Sequence, residues 1–237
     1  TTGESSILFE ETSKHWINLH DMLHCFPLGW SPKALASSTT ASDFFFLWAS
    51  ERSGFRKIYM YKFDSTTQTC SVQFDGKSLF GDDDWVVESI TYVDNENEMV
   101  YATGNGGGDP TQKHLFTCDF SALDSAPGGC NKVSIEEGWH MSTVSGKLGM
   151  VVDVFSSLTH FPSMALHRYV KEGKEIIGVE PLVYLIEPKR SLLSARDALL
   201  GEKLSSPRMD KIRSKDDKVD LYCDFSDFFC YFCLLSL

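Results

Sequence analysis

The chain has little positive charge to offer a polyanion. Its 237 residues carry 22 Lys and Arg against 33 Asp and Glu, and neutralising a phosphate backbone requires a basic face. Nucleic acid is therefore excluded as a partner. No apolar run reaches the roughly 20 residues that cross a bilayer as a helix, so no membrane partner is expected. The first residues are polar, unlike those of a signal peptide, and no Asn-x-Ser/Thr sequon occurs. Also missing is G-x-S-x-G, which sets a hydrolase nucleophile on a sharp strand-to-helix turn. Its nearest approach is Gly76-Lys77-Ser78-Leu79-Phe80-Gly81. There the second glycine arrives one position late and bulky Phe80 stands where a small residue is needed, so the segment reads as a loop. Close cysteine pairs are scarce too. Of the seven, at 25, 70, 118, 130, 223, 230 and 233, only Cys230 and Cys233 have CxxC spacing. They have no second pair to complete a four-ligand zinc site. No metal and no cofactor is expected, and reduced thiols in a cytoplasmic setting fit best.

What is present is period-2 alternation. Phe44-Phe45-Phe46-Leu47-Trp48 reads as a buried strand, and Phe55 to Phe63 as its return after the turn Glu51-Arg52-Ser53-Gly54. The same hairpin is written twice more, as Met99 to Thr103 with His114 to Phe120, and as Met150 to Val154 with Met164 to Tyr169. Trp30, Trp85 and Trp139 recur 55 and 54 residues apart. Strands at this period predict four-stranded propeller blades. A sandwich of ordinary hairpins is the competing fold. The expectation is all-β: a partial β-propeller of about three antiparallel blades over 1–188, followed by a helix and a short β segment.

Beyond residue 188 the charge changes sign. Residues 1–188 hold 13 Lys and Arg against 25 Asp and Glu, whereas 189–218 hold 9 against 5. Leu192, Leu193, Ala195, Leu199, Leu200 and Leu204 fall at helical spacing, which predicts a linker helix in 189–206. Met209 to Tyr222 reads as a strand pair around Lys215-Asp216-Asp217-Lys218. From Asp224 the chain turns aromatic, and alternation is expected to cease.

Few constellations could carry chemistry. Gly104-Asn105-Gly106-Gly107-Gly108-Asp109 brushes against phosphate-binding patterns, but it joins two strands rather than opening a helix and reads as a hairpin turn. Asp82-Asp83-Asp84 lacks the spaced oxygens of a calcium loop. His15, His20 and His24 cluster with Asp21, and a His–Asp pair can orient a base, yet no motif sets a nucleophile beside them. His114 and His140 read as structural histidines.

The phrase Trp16-Ile17-Asn18-Leu19-His20-Asp21-Met22-Leu23 and the run from Phe46 to Tyr59 resemble the propeller of dipeptidyl peptidase IV-type enzymes in the prolyl oligopeptidase superfamily. Asp84 to Ile90, Val100 to Gly104, His114-Leu115-Phe116, Gly138-Trp139-His140 and Phe155 to Leu158 follow in that family's order. The nearest subgroup in this resemblance is the cytosolic dipeptidyl peptidases 8 and 9 with their plant and protist relatives. Such enzymes, often homodimers, remove Xaa-Pro and Xaa-Ala dipeptides from peptide substrates. Their propeller screens a serine-type α/β-hydrolase domain.

The resemblance implies that this chain is the C-terminal part of a propeller that gates and positions substrate for a parent enzyme. It further implies that 207–223 are the first, truncated strands of a hydrolase domain and that 224–237 form a tail outside the family pattern. No catalytic residue is expected in the chain. His20 and Asp21 are the candidate substrate-cavity residues, since family propellers turn a loop toward the central cavity there. A blade-edge hydrogen bond is their alternative role. Glu10-Glu11 is not assigned the family's amino-terminus clamp, because that pair sits on a helix well upstream of the Trp16 phrase. The competing function is a free-standing propeller-type interaction module, with the 189–204 helix as its docking element.

Overall fold

A computed structural model of the chain describes residues 5, 7–80, 85–106, 109–121, 130–158, 160–173, 175–187, 208–226 and 229–234. The three expected hairpins form the middles of three antiparallel four-stranded sheets. Blade 1 contains β1 (Leu23–Cys25), β2 (Phe44–Ser50), β3 (Lys57–Asp64) and β4 (Thr69–Val72). Blade 2 contains β5 (Val87–Asp94), β6 (Met99–Gly104), β7 (His114–Asp119) and β8 (Cys130–Lys132). Blade 3 contains β9 (Trp139–Ser145), β10 (Met150–Ser156), β11 (Ser163–Glu172) and β12 (Glu175–Ile186). The fold is a partial β-propeller.

Alternation explains how the blades stack. Phe45, Leu47 and Ala49 of β2, with Ile58 and Met60 of β3, meet Val100, Ala102, Phe116 and Cys118 of blade 2. The opposite phase of blade 2, Met99, Tyr101 and Leu115, meets Val151, Tyr169 and Ile176 of blade 3. Strands β6 and β7 are thus buried on both faces. Hydrogen bonds tie the sheets together as well. The Trp30 indole donates to the Asn95 carbonyl at 3.1 Å, and the Arg56 Nε donates to the Val87 carbonyl at 2.9 Å.

Four expectations need correction. The tryptophan period does not mark equivalent positions: Trp30 follows β1, Trp85 precedes β5, and Trp139 opens β9. Ile176 to Val179 and Leu182 to Ile186, each of which reads as a short strand of its own on either side of Glu180-Pro181, are one strand, β12. It lies at the sheet edge with register shifts against β11, where a missing N–H is tolerated. The strand pair expected over Met209 to Tyr222 extends past it: β14 (Asp220–Ser226) pairs with β13 (Arg208–Arg213) and also with β15 (Phe229–Leu234). The tail therefore joins a three-stranded sheet of its own, and among the described residues it pairs with no blade strand. Last, Cys118 and Cys130 form a disulfide, against the expectation of reduced thiols. They are 12 residues apart but directly opposite in the β7–β8 ladder, a proximity that only strand pairing creates. The helix expected in 189–204 and the Asp82-Asp83-Asp84 turn lie outside the described residues. No helix among the described residues is long and apolar enough to cross a membrane.

Candidate functional site

The histidines at 15, 20 and 24 do not converge. His15 is exposed. His20 commits both ring nitrogens to backbone: Nε2 donates to the Ala49 carbonyl at 2.9 Å and Nδ1 accepts the Met22 N–H at 3.2 Å. These partners fix the Nε2–H tautomer, and the ring packs on Trp48 with centroids 4.6 Å apart. Burial pulls the pKa of His24 below its ordinary value, with the Asn95 side chain opposing. Asp21 is exposed and rims a groove of about 300 Å³ between β1 and β5, lined also by His24, Ser89, Thr91 and Val93. Ser78 is buried in the loop before blade 2. Gly106, at φ +71, turns the β6–β7 hairpin over the Phe116 ring.

The strongest polar constellation is one the sequence did not announce. It fills one end of the seam between blades 2 and 3. Ser142 and Asp153 are register partners on β9 and β10, as are His140 and Phe155. His140 Nδ1 lies 2.6 Å from Asp153 Oδ2, while its Nε2 lies 2.8 Å from the Glu136 carbonyl. Both ring nitrogens face acceptors, which suits the doubly protonated ring. Burial opposes that charge, but the Asp153 carboxylate outweighs it and raises the His140 pKa. Ser142 Oγ donates to the other Asp153 oxygen at 2.7 Å. The serine therefore points at the acid and not at the imidazole, so the trio lacks the Ser–His contact that activates a nucleophile.

A second buried histidine stands alongside. The His114 and His140 ring centroids are 5.2 Å apart. His114 Nδ1 contacts Ser134 Oγ at 2.9 Å, and its Nε2 lies 3.6 Å from Glu137. Ser134 Oγ also accepts the Leu115 N–H at 3.1 Å, which makes it a strand-to-loop tie. Desolvation lowers the pKa of His114, as it does that of His167. A cavity of about 480 Å³ opens beside this network, lined by Glu136, Asp153, Phe155, His160, His167 and Tyr184. The seam thus combines one favoured imidazolium, two histidines held against protonation, and an acidic rim. Among the described residues no three metal-ligating groups converge. The sequence carried one usable signal: Asp153 falls on the inward phase between Val151 and Phe155, where a carboxylate needs a buried partner.

Comparison with known proteins bears on this architecture. The family described as dipeptidyl peptidase IV (DPP IV) N-terminal region matches residues 1–162, which take in blades 1 and 2 and the first half of blade 3. Among solved structures, Porphyromonas gingivalis dipeptidyl peptidase 4 aligns with a TM-score of 0.49 at 17% identity. That alignment covers 78% of this chain and 22% of that one, so the chain spans about a fifth of the length of that solved protein.

Proposed function

Because the chain belongs to the dipeptidyl peptidase IV N-terminal-region family, we propose that its blades gate and position peptide substrates for a serine-type dipeptidyl peptidase. The parent would remove Xaa-Pro and Xaa-Ala dipeptides, and this chain would hold no part of its catalytic machinery. The observation that carries the reading is the family match running through consecutive stacked blades. Propellers present rigid strands with loops free to meet a ligand. In the same proposal Asp21 faces substrate from the rim of the β1–β5 groove, and His20 holds the loop that presents it. A chimera tests both parts: residues 7–187 replace the corresponding blades of an active family member. We expect dipeptide release to persist, and Asp21→Asn to raise KM a few-fold at unchanged kcat. A chimera that still reacts with a fluorophosphonate at its active serine but releases no dipeptide would overturn the gating role. An unchanged KM would remove Asp21 from it.

The second reading, a free-standing interaction module, draws on β12, where Leu182, Val183, Tyr184, Leu185 and Ile186 are each about half exposed at a sheet edge. Such an edge invites strand addition. The inactive outcome of the chimera would favour this reading.

We further propose a cytoplasmic location and kinship with the cytosolic dipeptidyl peptidases 8 and 9, on the resemblance of the Trp16 and Trp48 phrases. The Cys118–Cys130 bond pulls the other way, since disulfides persist in oxidising compartments. Alkylation of protein quenched directly from cells decides between them. A cytoplasmic chain should carry the alkyl label on both Cys118 and Cys130. Protection of both would place it in an oxidising compartment.

A further inference from the structure

The connection from blade 2 to blade 3 runs from Val133 to Gly138 and has no strand of its own. It is pinned to β7 and its entry at both ends. The Val133 N–H donates to the Leu115 carbonyl at 2.8 Å, and the Lys113 N–H donates to the Gly138 carbonyl at 3.0 Å. Its middle is held by two histidines. The Glu136 carbonyl faces His140 Nε2 at 2.8 Å, while Ser134 and Glu137 face the two ring nitrogens of His114.

These contacts require the two rings to carry different charges. Ser134 Oγ accepts the Leu115 N–H, so its own proton goes to His114 Nδ1, and the Nε2–H is left toward Glu137. That ring is neutral. His140 faces two acceptors and is the imidazolium, with the two ring centroids 5.2 Å apart. A proton on His114 Nδ1 would take away the acceptor of the Ser134 hydroxyl and set a second positive charge beside the first. The other titratable groups around the pair are Lys132 on β8, Glu136 and Glu137 on the connection, Asp153 on β10, and His160 and His167 at the cavity. Lys113 turns its ammonium to Glu88 of β5. Burial first, then Lys132 and His140, oppose a charge on His114, and Glu137 favours it.

We propose that residues 133–138 form an acid-released latch on the seam between blades 2 and 3, with His114 as the group that senses the proton. Glu136 and Glu137 are walls of the cavity of about 480 Å³ beside His167, so release of the latch opens that cavity. The closed latch holds His114 neutral. In the open state the ring is free to take a proton near its ordinary value of about 6.5. Acid therefore favours opening, increasingly as pH falls below that value. His167, likewise held neutral by burial, acts in the same sense. His140 acts in the opposite sense, but its contribution is complete below about pH 6.5 and changes little further. The latch is separate from the β1–β5 rim, so its failure would leave the gating reading untouched.

The test is amide exchange of the full chain at about pH 6.5 and about pH 5, either side of the range where a free histidine gains its proton. Exchange is read by mass spectrometry over 130–140 and corrected for its intrinsic pH dependence, with the β2–β3 hairpin as internal reference. In wild type the protection of 130–140 should fall several-fold toward acid while that of the hairpin holds. His114→Gln cannot take the proton and should lose about half of that fall or more. Equal protection at both pH values in wild type, or an undiminished fall in His114→Gln, would overturn the proposal. Should that variant fail to fold, Glu137→Gln serves. It removes the carboxylate that favours a charge on His114, so its fall should be about twofold deeper. A fall unchanged or shallower would be an equally clear refutation.

Discussion

Asp153→Asn should lower stability by about 3 kcal/mol near pH 6, the cost of leaving a buried ion without its partner. For a chain of this size that corresponds to a melting temperature lower by roughly 6–12 °C. The side chains of His140 and Asp153 are 1% and 11% exposed, so solvent screens the pair little. The penalty should also depend on pH, with a sign fixed by the raised His140 pKa. A base whose folded pKa lies above its unfolded value of about 6.5 contributes stability fully below that value. It loses this contribution as pH rises through the folded pKa. The gap between wild type and variant should therefore narrow from pH 6 to pH 9. The lowered pKa values of His24, His114 and His167 act in the opposite sense, favouring stability above their unfolded values. That of His24 cancels in the difference. Loss of the Asp153 charge, which supports protonation of His167, lowers the His167 pKa further and adds to the penalty on the acidic side. Melts at four pH values check this. A gap that widens toward alkaline pH would contradict the imidazolium assignment.

Gly138→Ala should be comparably damaging. Gly138 adopts φ +155, and a Cβ there would stand 2.5 Å from the Ser156 carbonyl oxygen and 2.6 Å from the Phe155 ring. The backbone cannot yield without moving Trp139 and His140, because the Gly138 carbonyl accepts the Lys113 N–H at 3.0 Å and Lys113 in turn accepts the His140 N–H. Backbone strain and overpacking each cost about 1–3 kcal/mol, so a loss of around 4 kcal/mol is expected. Gly29→Ala is the control. Gly29 also has positive φ, at +81, but nothing lies within 4 Å of its would-be Cβ, so only strain of about 1 kcal/mol applies. Denaturant unfolding of the two variants should separate them clearly. Equal losses would mean that the close approach at Gly138 is absorbed by the seam.

The blade hairpins were legible because both halves of each are long enough to show alternation. The strands that flank them, β1, β4 and β8, have three or four residues each, too few for any period to show. Strand β12 was legible in pieces, since Pro181 looks like a break until its place at the sheet edge is known. The Cys118–Cys130 bond and the Ser142–Asp153–His140 network share one reason for being missed. Their members are 11 to 13 residues apart, and only antiparallel register brings them together. Glu11 was visible as an acidic pair with Glu10, but its use depends on Trp48 and Ser50, 37 and 39 residues away. Sequence spacing carries no information at that range. The Trp16-to-Asp21 phrase pointed to a family and to a loop, and His20 proves to use both ring nitrogens within blade 1.

If, as proposed, these blades screen a reaction carried out elsewhere in a parent enzyme, the chain by itself should turn over no substrate. The most direct test is turnover of a Gly-Pro chromogenic substrate by the purified 237-residue chain, with fluorophosphonate labelling in parallel. The account predicts no release of the chromophore and no labelled serine. Turnover that survives contamination controls and disappears on Ser78→Ala, together with a label on that residue, would contradict it.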